Sequence, residues 1–395
     1  MGKPWGVIFV LMLILSAGLL AGVPAEAGAP ASAAGETPAV QPAPPAPALA
    51  PGASEFRAAW IAFAQPVSPP EAGADRTPEA TQTAREAAIP HLEAAAAAAP
   101  NNATYYASLA YVCLTAGKYD KALAAINRAI DLERGDPLLY LLRGQGEAAL
   151  AQLNPEEAAG NIGAAMTAFS RAAQLDPNNA LPLLQAASVA IDVGRADLAL
   201  DNLKKALSRS ECRFYWLPVP EDLGSGGPSS LGLWEYAQYG HWFGLIARCQ
   251  NVAGYCLRLG KEAEEKGDLA TAEKRYQWLR RVAGYLGTAE PRLFVTVATS
   301  IDMLEDAYSN LARVGEATGS KDTERWKGEA GICQIGRQDL FGALQSYQKD
   351  VASGAIASVY QSMQTQAKLV SPVIAGIGLT SKDAPAVPAE PRHQE

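Results

Sequence analysis

Residues 114–132 read "LTAGKYDKALAAINRAIDL". A Gly-Lys-Tyr-Asp turn opens an amphipathic run in which Ala122 and Ala129 fall on the apolar face, where a self-contained core would want larger side chains. Small residues at fixed helical spacing let a second helix lie very close. A short helix of this kind cannot bury its apolar face alone, so another copy of the same unit is expected behind it.

The rest of the chain contains that copy. Aligning "REAAIPHLEAAAAAAPNN", "DKALAAINRAIDL", "GAAMTAFSRAAQLDPNN" and "DLALDNLKKAL" puts a small residue first at Ala88, Ala122, Ala165 and Ala199. The first and last intervals are 34 residues, and the middle one is longer by a nine-residue insertion. Large apolar residues follow four positions later at Leu92, Ile126, Phe169 and Leu203, then Ala95, Ala129, Ala172 and Ala206. Pro100-Asn101-Asn102 recurs as Pro177-Asn178-Asn179.

With this register the chain resembles the tetratricopeptide repeat family, whose unit is a 34-residue helix–turn–helix. The family's roles fall on Tyr106, Leu109-Ala110, Gly117, Ala122, Ile126 and Ala129 in one unit and on Tyr140, Gly144, Ala165, Phe169, Ala172 and Pro177 in the next. A third unit offers Leu183, Ala187, Gly194, Ala199, Leu203 and Ala206, and a later one Leu259-Gly260, Gly267, Ala272 and Tyr276. The second unit departs from the pattern in Arg143 and in the insertion "AQLNPEEAAGNIG". The expected fold is all-α, an α-solenoid of stacked helix hairpins, with the array over 53–208 and further repeats within a helical region over 233–372.

The resemblance also implies a function. Such arrays bind partners in a concave groove lined by the first helix of each unit. The family register assigns that lining to Thr104, Ala107, Tyr111 and Leu114, then Leu141, Gln145 and Ala148, then Leu181, Leu184, Ser188 and Ile191. These positions lack the Lys and Asn with which some members grip a terminal carboxylate. The groove is apolar, which fits an amphipathic helix or an apolar extended segment of a protein or peptide partner. Positions of this kind are expected to be partly solvated in the free protein. The alternative is intramolecular: a helix from 345–372, or the 212–244 loop, fills the groove and completes the core.

Residues outside the repeats supply the other expectations. Lys3, the apolar run Val7 to Leu20 and Ala25-Glu26-Ala27 form a secretory signal over 1–27, so the working chain is expected outside the cytoplasm, periplasmic or secreted. An uncleaved membrane anchor is the competing reading. An Ala/Pro linker, 28–52, follows, and a polar tail is expected over 373–395. A net charge of -8 and the lack of a basic block weigh against nucleic acid as a partner. The five cysteines are expected as buried thiols acting as small hydrophobes, with Cys212 the candidate exception.

Between the repeats, 209–232 is a Pro/Gly-rich loop insertion, and the aromatic stretch 212–244 includes Trp216, Trp234, Tyr236 and Trp242. These aromatics either face a ligand, a glycan or a peptide, or seal the loop over a neighbouring helix. No phosphate loop, nucleophile elbow or His-Glu-x-x-His is present, and three histidines leave little for a metal site. A non-catalytic interaction protein without cofactor or metal is the reading these residues favour.

Overall fold

A computed structural model describes residues 50–64, 78–220, 228–353, 355–356 and 359–379. The segment expected as a signal, most of that expected as a linker and the residues after 379 lie outside the described part. The described helices are α1 (Ala53–Ala64), α2 (Pro78–Ala98), α3 (Ala103–Thr115), α4 (Tyr119–Leu132), α5 (Pro137–Leu153), α6 (Ala158–Leu175) and α7 (Leu181–Asp192). They continue as α8 (Ala196–Leu207), α9 (Pro228–Glu265), α10 (Leu269–Gly287), α11 (Phe294–Thr318), α12 (Thr323–Ala352) and α13 (Val359–Gly376). Among the described residues the only β contacts are two isolated bridges, Asn179–Glu211 and Arg213–Glu290. None of the described helices is long and apolar enough to cross a membrane.

Successive helices pack on one another except α8 and α9, since α9 lies on α7 instead, and the hairpins α3–α4, α5–α6, α7–α8 and α9–α10 stack into an all-α repeat solenoid. The repeated positions explain the stacking. Ala88, Ala122, Ala165 and Ala199, the large residues Leu92, Ile126, Phe169 and Leu203, and the alanines at 95, 129, 172 and 206 have 0% exposure. The hairpin turns use one device. Gly117, Gly194 and Gly267 take φ of 71°, 70° and 74°, a left-handed conformation that glycine adopts without a Cβ penalty. The next amide then reaches back to the preceding helix, Lys118 N to Cys113 O at 2.9 Å, Arg195 N to Ala190 O at 2.8 Å and Asp268 N to Ala263 O at 2.9 Å, closing its free carbonyls.

Two further glycines are sockets for rings. A Cβ on Gly144 would meet the Phe169 ring at 2.6 Å, and one on Gly260 would meet the Tyr276 ring at 2.4 Å. Gly260→Ala is therefore expected to destabilise the protein by about 1–3 kcal/mol through overpacking, although alanine is the better helix former. Urea denaturation measures it, and a variant as stable as the parent would mean that the two helices are further apart.

Two ends differ from expectation. The last helix runs past 372 to Gly376, with Val373, Ile374 and Ile377 buried, so the ordered chain extends into the segment expected as tail. At the other boundary, α9 begins at Pro228, inside the expected loop insertion. Glu264 turns inward to a bidentate pair with Arg313 and accepts from the Tyr276 hydroxyl at 2.5 Å. All five cysteines are buried and unpaired, Cys212 included. Burial pushes the Cys249, Cys256 and Cys333 thiols up to about 12, which leaves them protonated and unreactive.

Candidate functional site

The inner helices α3, α5 and α7 touch one another, as the first helices of stacked units do. Their exposed faces should form the groove, but other parts of the chain cover most of it. From one end α1 brings Trp60 and Phe63 against Tyr111, with ring centroids 6.3 and 6.0 Å away, and α9 sets His241 edge-on to the same ring at 5.5 Å. Tyr111 is thereby 5% exposed. At the other end α9 lies along α7. Gln185 donates to the Leu245 carbonyl at 3.2 Å, and Asn251 donates to the Ser188 hydroxyl at 3.0 Å.

The expectation of partial solvation therefore fails at Tyr111, Leu141, Leu184 and Ser188, all of which are buried. Leu114, Gln145 and Ile191 are half-buried, and Thr104 is exposed. Leu114 rests where a Cβ on Gly146 would stand, 3.1 Å from it. The physical reason is that the repeat register defines a face but is silent about what covers it. The cover comes from α1, the segment 212–220 and α9, which lie before and after the units that carry the groove positions.

A strap, residues 211–220, completes the cover as an extended segment. It is held by its backbone from both sides. Asn179 Oδ1 accepts from the amides of Leu181 and Arg213, both at 3.0 Å, while its Nδ2 donates to Asp176 and to the Arg213 carbonyl, both at 2.9 Å. Phe214 N donates to the Glu290 carbonyl at 2.8 Å. Gln238 on α9 reads both backbone groups of Leu217, accepting at 3.1 Å and donating at 2.7 Å. Trp242 Nε1 donates to the Tyr215 carbonyl at 3.1 Å, and Ser108 on α3 reaches the Pro218 carbonyl at 3.4 Å. Asp176 anchors the start of the strap, taking Arg213 at 2.6 Å and the Tyr215 hydroxyl at 3.2 Å. Burial, and then the Asp176 charge, pushes the Tyr215 phenol far above its usual range.

Of the aromatic candidates, Trp242 is fully buried and seals the strap, whereas Trp216 is 40% exposed and packs edge-on to Trp242 at 4.9 Å. Trp234 and Tyr236 lie on the first turns of α9, and their side chains fall outside the described residues. Trp216 stands between two hollows. One of about 570 Å³ is lined by Asp136, Leu138, Asp176, Tyr215 and Pro291. The other, about 80 Å³, is lined by Thr104, Glu133, Asp136 and Leu139. Here the inner face stays open. Asp136 caps α5 through Leu138 N at 2.8 Å; burial raises its carboxyl and that bond partly offsets the rise. Sequence reasoning missed Asn179, Gln238 and Ser108. The repeated Pro-Asn-Asn signalled a cap, as at Asn102, which accepts from Thr104 N at 3.0 Å, but gave no sign of the strap.

The chemistry available here is recognition: an exposed indole, two carboxylates and a wall of apolar side chains. Among the described residues no group of three or more His, Cys, Asp or Glu gathers as a metal cluster would. No curated protein matches the sequence. Residues 81–146, from α2 into α5, match the tetratricopeptide repeat. The match supports a tetratricopeptide repeat over these four helices, and the same turns and small-residue seams recur through α10.

Proposed function

We propose that the chain is an exported scaffold that docks an extended segment of a partner protein beside Trp216, in the open part of the inner face. Tetratricopeptide repeats generally mediate protein–protein interaction, and the family is typically non-catalytic. Export to the cell envelope rests on the apolar run and the Ala25-Glu26-Ala27 site, both outside the described residues. The observation that carries the reading is the exposed indole between two hollows, in a groove otherwise filled by the chain itself. The strap illustrates how side chains here hold a backbone: the Trp242 indole N–H, the Gln238 amide and the Ser108 hydroxyl take the carbonyls of Tyr215, Leu217 and Pro218. With Glu133 and Asp136 beside the indole, a segment bearing an arginine or lysine fits, its cation over the ring.

Trp216→Ala tests the reading. The ring is partly solvated, so the variant is expected to melt close to the parent, within about 1 kcal/mol, and to lose the partner in a crosslinking pull-down from the native envelope. Equal recovery would place docking elsewhere. Retained protein partners with loss of glycan-array binding would instead make the hollow a carbohydrate site, which the same exposed indole favours.

A further inference from the structure

A second cavity, of about 710 Å³, lies outside the groove, between the start of the strap, α10, α11 and the end of α13. Its size is that of a small-molecule site. Five arginines line it, Arg213, Arg280, Arg281, Arg292 and Arg325, against three glutamates and no lysine. This concentration of positive charge runs against a chain whose net charge is -8.

The arginines are not equally committed. Arg213 pairs with Asp176 and Glu211, Arg292 with Glu290, and Arg325 with Asp322. Arg281 Nε donates to the Tyr285 hydroxyl at 3.2 Å and its Nη2 to the Arg209 carbonyl at 3.1 Å. Tyr285 is itself fixed by donating to the same Arg209 carbonyl at 2.6 Å. Arg280 is half-buried and lines the cavity beside Tyr308. No carboxylate among the described residues lies within ion-pair distance of it, although Glu329 lines the same cavity. Leu304, Tyr308, Ile374, Ala375 and Leu379 give the wall an apolar part, beside the hydroxyl-bearing Ser210, Thr288 and Ser371.

We infer that this cavity binds a small oxyanion ligand, a carboxylate or phosphate monoester on an apolar body, with Arg280 as its charge partner. A guanidinium presents a planar fork that matches both oxyanions. An arginine beside a cavity with no carboxylate of its own is the arrangement such a ligand completes. The apolar part of the wall takes the body. The inference stands apart from the docking of a partner at Trp216, and its test does not involve that residue.

The test is calorimetric titration of the full chain at low salt with three probes: phenyl phosphate, 4-phenylbutyrate and inorganic phosphate. One-to-one saturation is expected with at least one of the two probes that carry a ring, at least tenfold tighter than inorganic phosphate. The ratio between those two identifies the oxyanion preferred. Arg280→Gln should weaken binding at least tenfold, and Arg280→Lys less. Ala375→Trp, at an exposed rim position, should abolish binding by filling the cavity while leaving every arginine in place. Absence of saturable binding overturns the inference, and so does an Arg280→Gln variant that binds like the parent. Inorganic phosphate binding as tightly as the larger probes would overturn the role of the apolar wall. Should Arg280→Gln fail to fold, retained binding in the folded Ala375→Trp protein would be equally decisive against the site.

Discussion

Leu184→Lys is expected to abolish cooperative folding at room temperature and neutral pH. Leu184 has 0% exposure, and the adjacent Gln185 is bonded to the α9 backbone, so a lysine here has no route to water. Losing the buried leucine costs about 2–5 kcal/mol by comparison with truncations to alanine. Keeping the amine neutral at pH 7 adds about 5 kcal/mol, from the gap between pH 7 and an ordinary lysine pKa. The total rivals the whole stability of a typical domain, about 5–15 kcal/mol. Thr104→Lys is the matched control: it is exposed on the inner helix α3 and should change stability by no more than about 0.5 kcal/mol. Far-ultraviolet circular dichroism with urea titration reads both. A Leu184→Lys protein as stable as the parent would show that α9 does not cover α7.

His241 is expected to make the protein lose stability as the pH falls from 6.5 toward 4.5. It is 4% exposed, its Nε2 has no hydrogen-bond partner among the described residues, and burial lowers its pKa to about 3. Between the folded value and the unfolded value of about 6.5, the unfolded chain takes up a proton that the folded chain refuses. The stability from this group is thus complete above 6.5 and falls as the pH drops through that window, by about 1.4 kcal/mol per unit. The carboxylates also titrate on the way down, so the informative quantity is a difference. His241→Phe keeps a ring against Tyr111 and cannot titrate; relative to it, the parent should lose about 2–3 kcal/mol between pH 6.5 and 4.5. Urea midpoints for both proteins at the two pH values measure this. Parallel losses would mean that His241 reaches solvent.

The repeats were legible because their physics is local. A hairpin needs small residues where helices meet and a left-handed residue where it turns. Both needs recur at Ala122 and Ala199 and at Gly117 and Gly194, whatever the rest of the chain does. The site was not legible, because burial of an inner-face residue depends on segments far away in sequence. Tyr111 looks like groove in its own repeat and becomes core through Trp60 and His241, 51 residues before it and 130 after it. Trp216 and Trp242 belong to one aromatic cluster in the sequence, and only the course of the strap makes one a seal and leaves the other open. Asn179 caps α7 through its Oδ1, but its Nδ2 donates to the Arg213 carbonyl and so holds the strap.

α9 has a consequence for how this chain can evolve. An open solenoid tolerates the gain or loss of a unit, since each unit meets only its neighbours. Here one helix of 38 residues, about 57 Å long, pairs with α10 near its end and reaches back past α7 to touch α1. It acts as a measuring rod. Deleting or duplicating one hairpin between α3 and α8 would move α1 by a repeat's width and leave Trp60 and His241 facing different partners. The number of repeats in this half of the molecule is therefore fixed by the length of a single helix, and a change in one requires a change in the other.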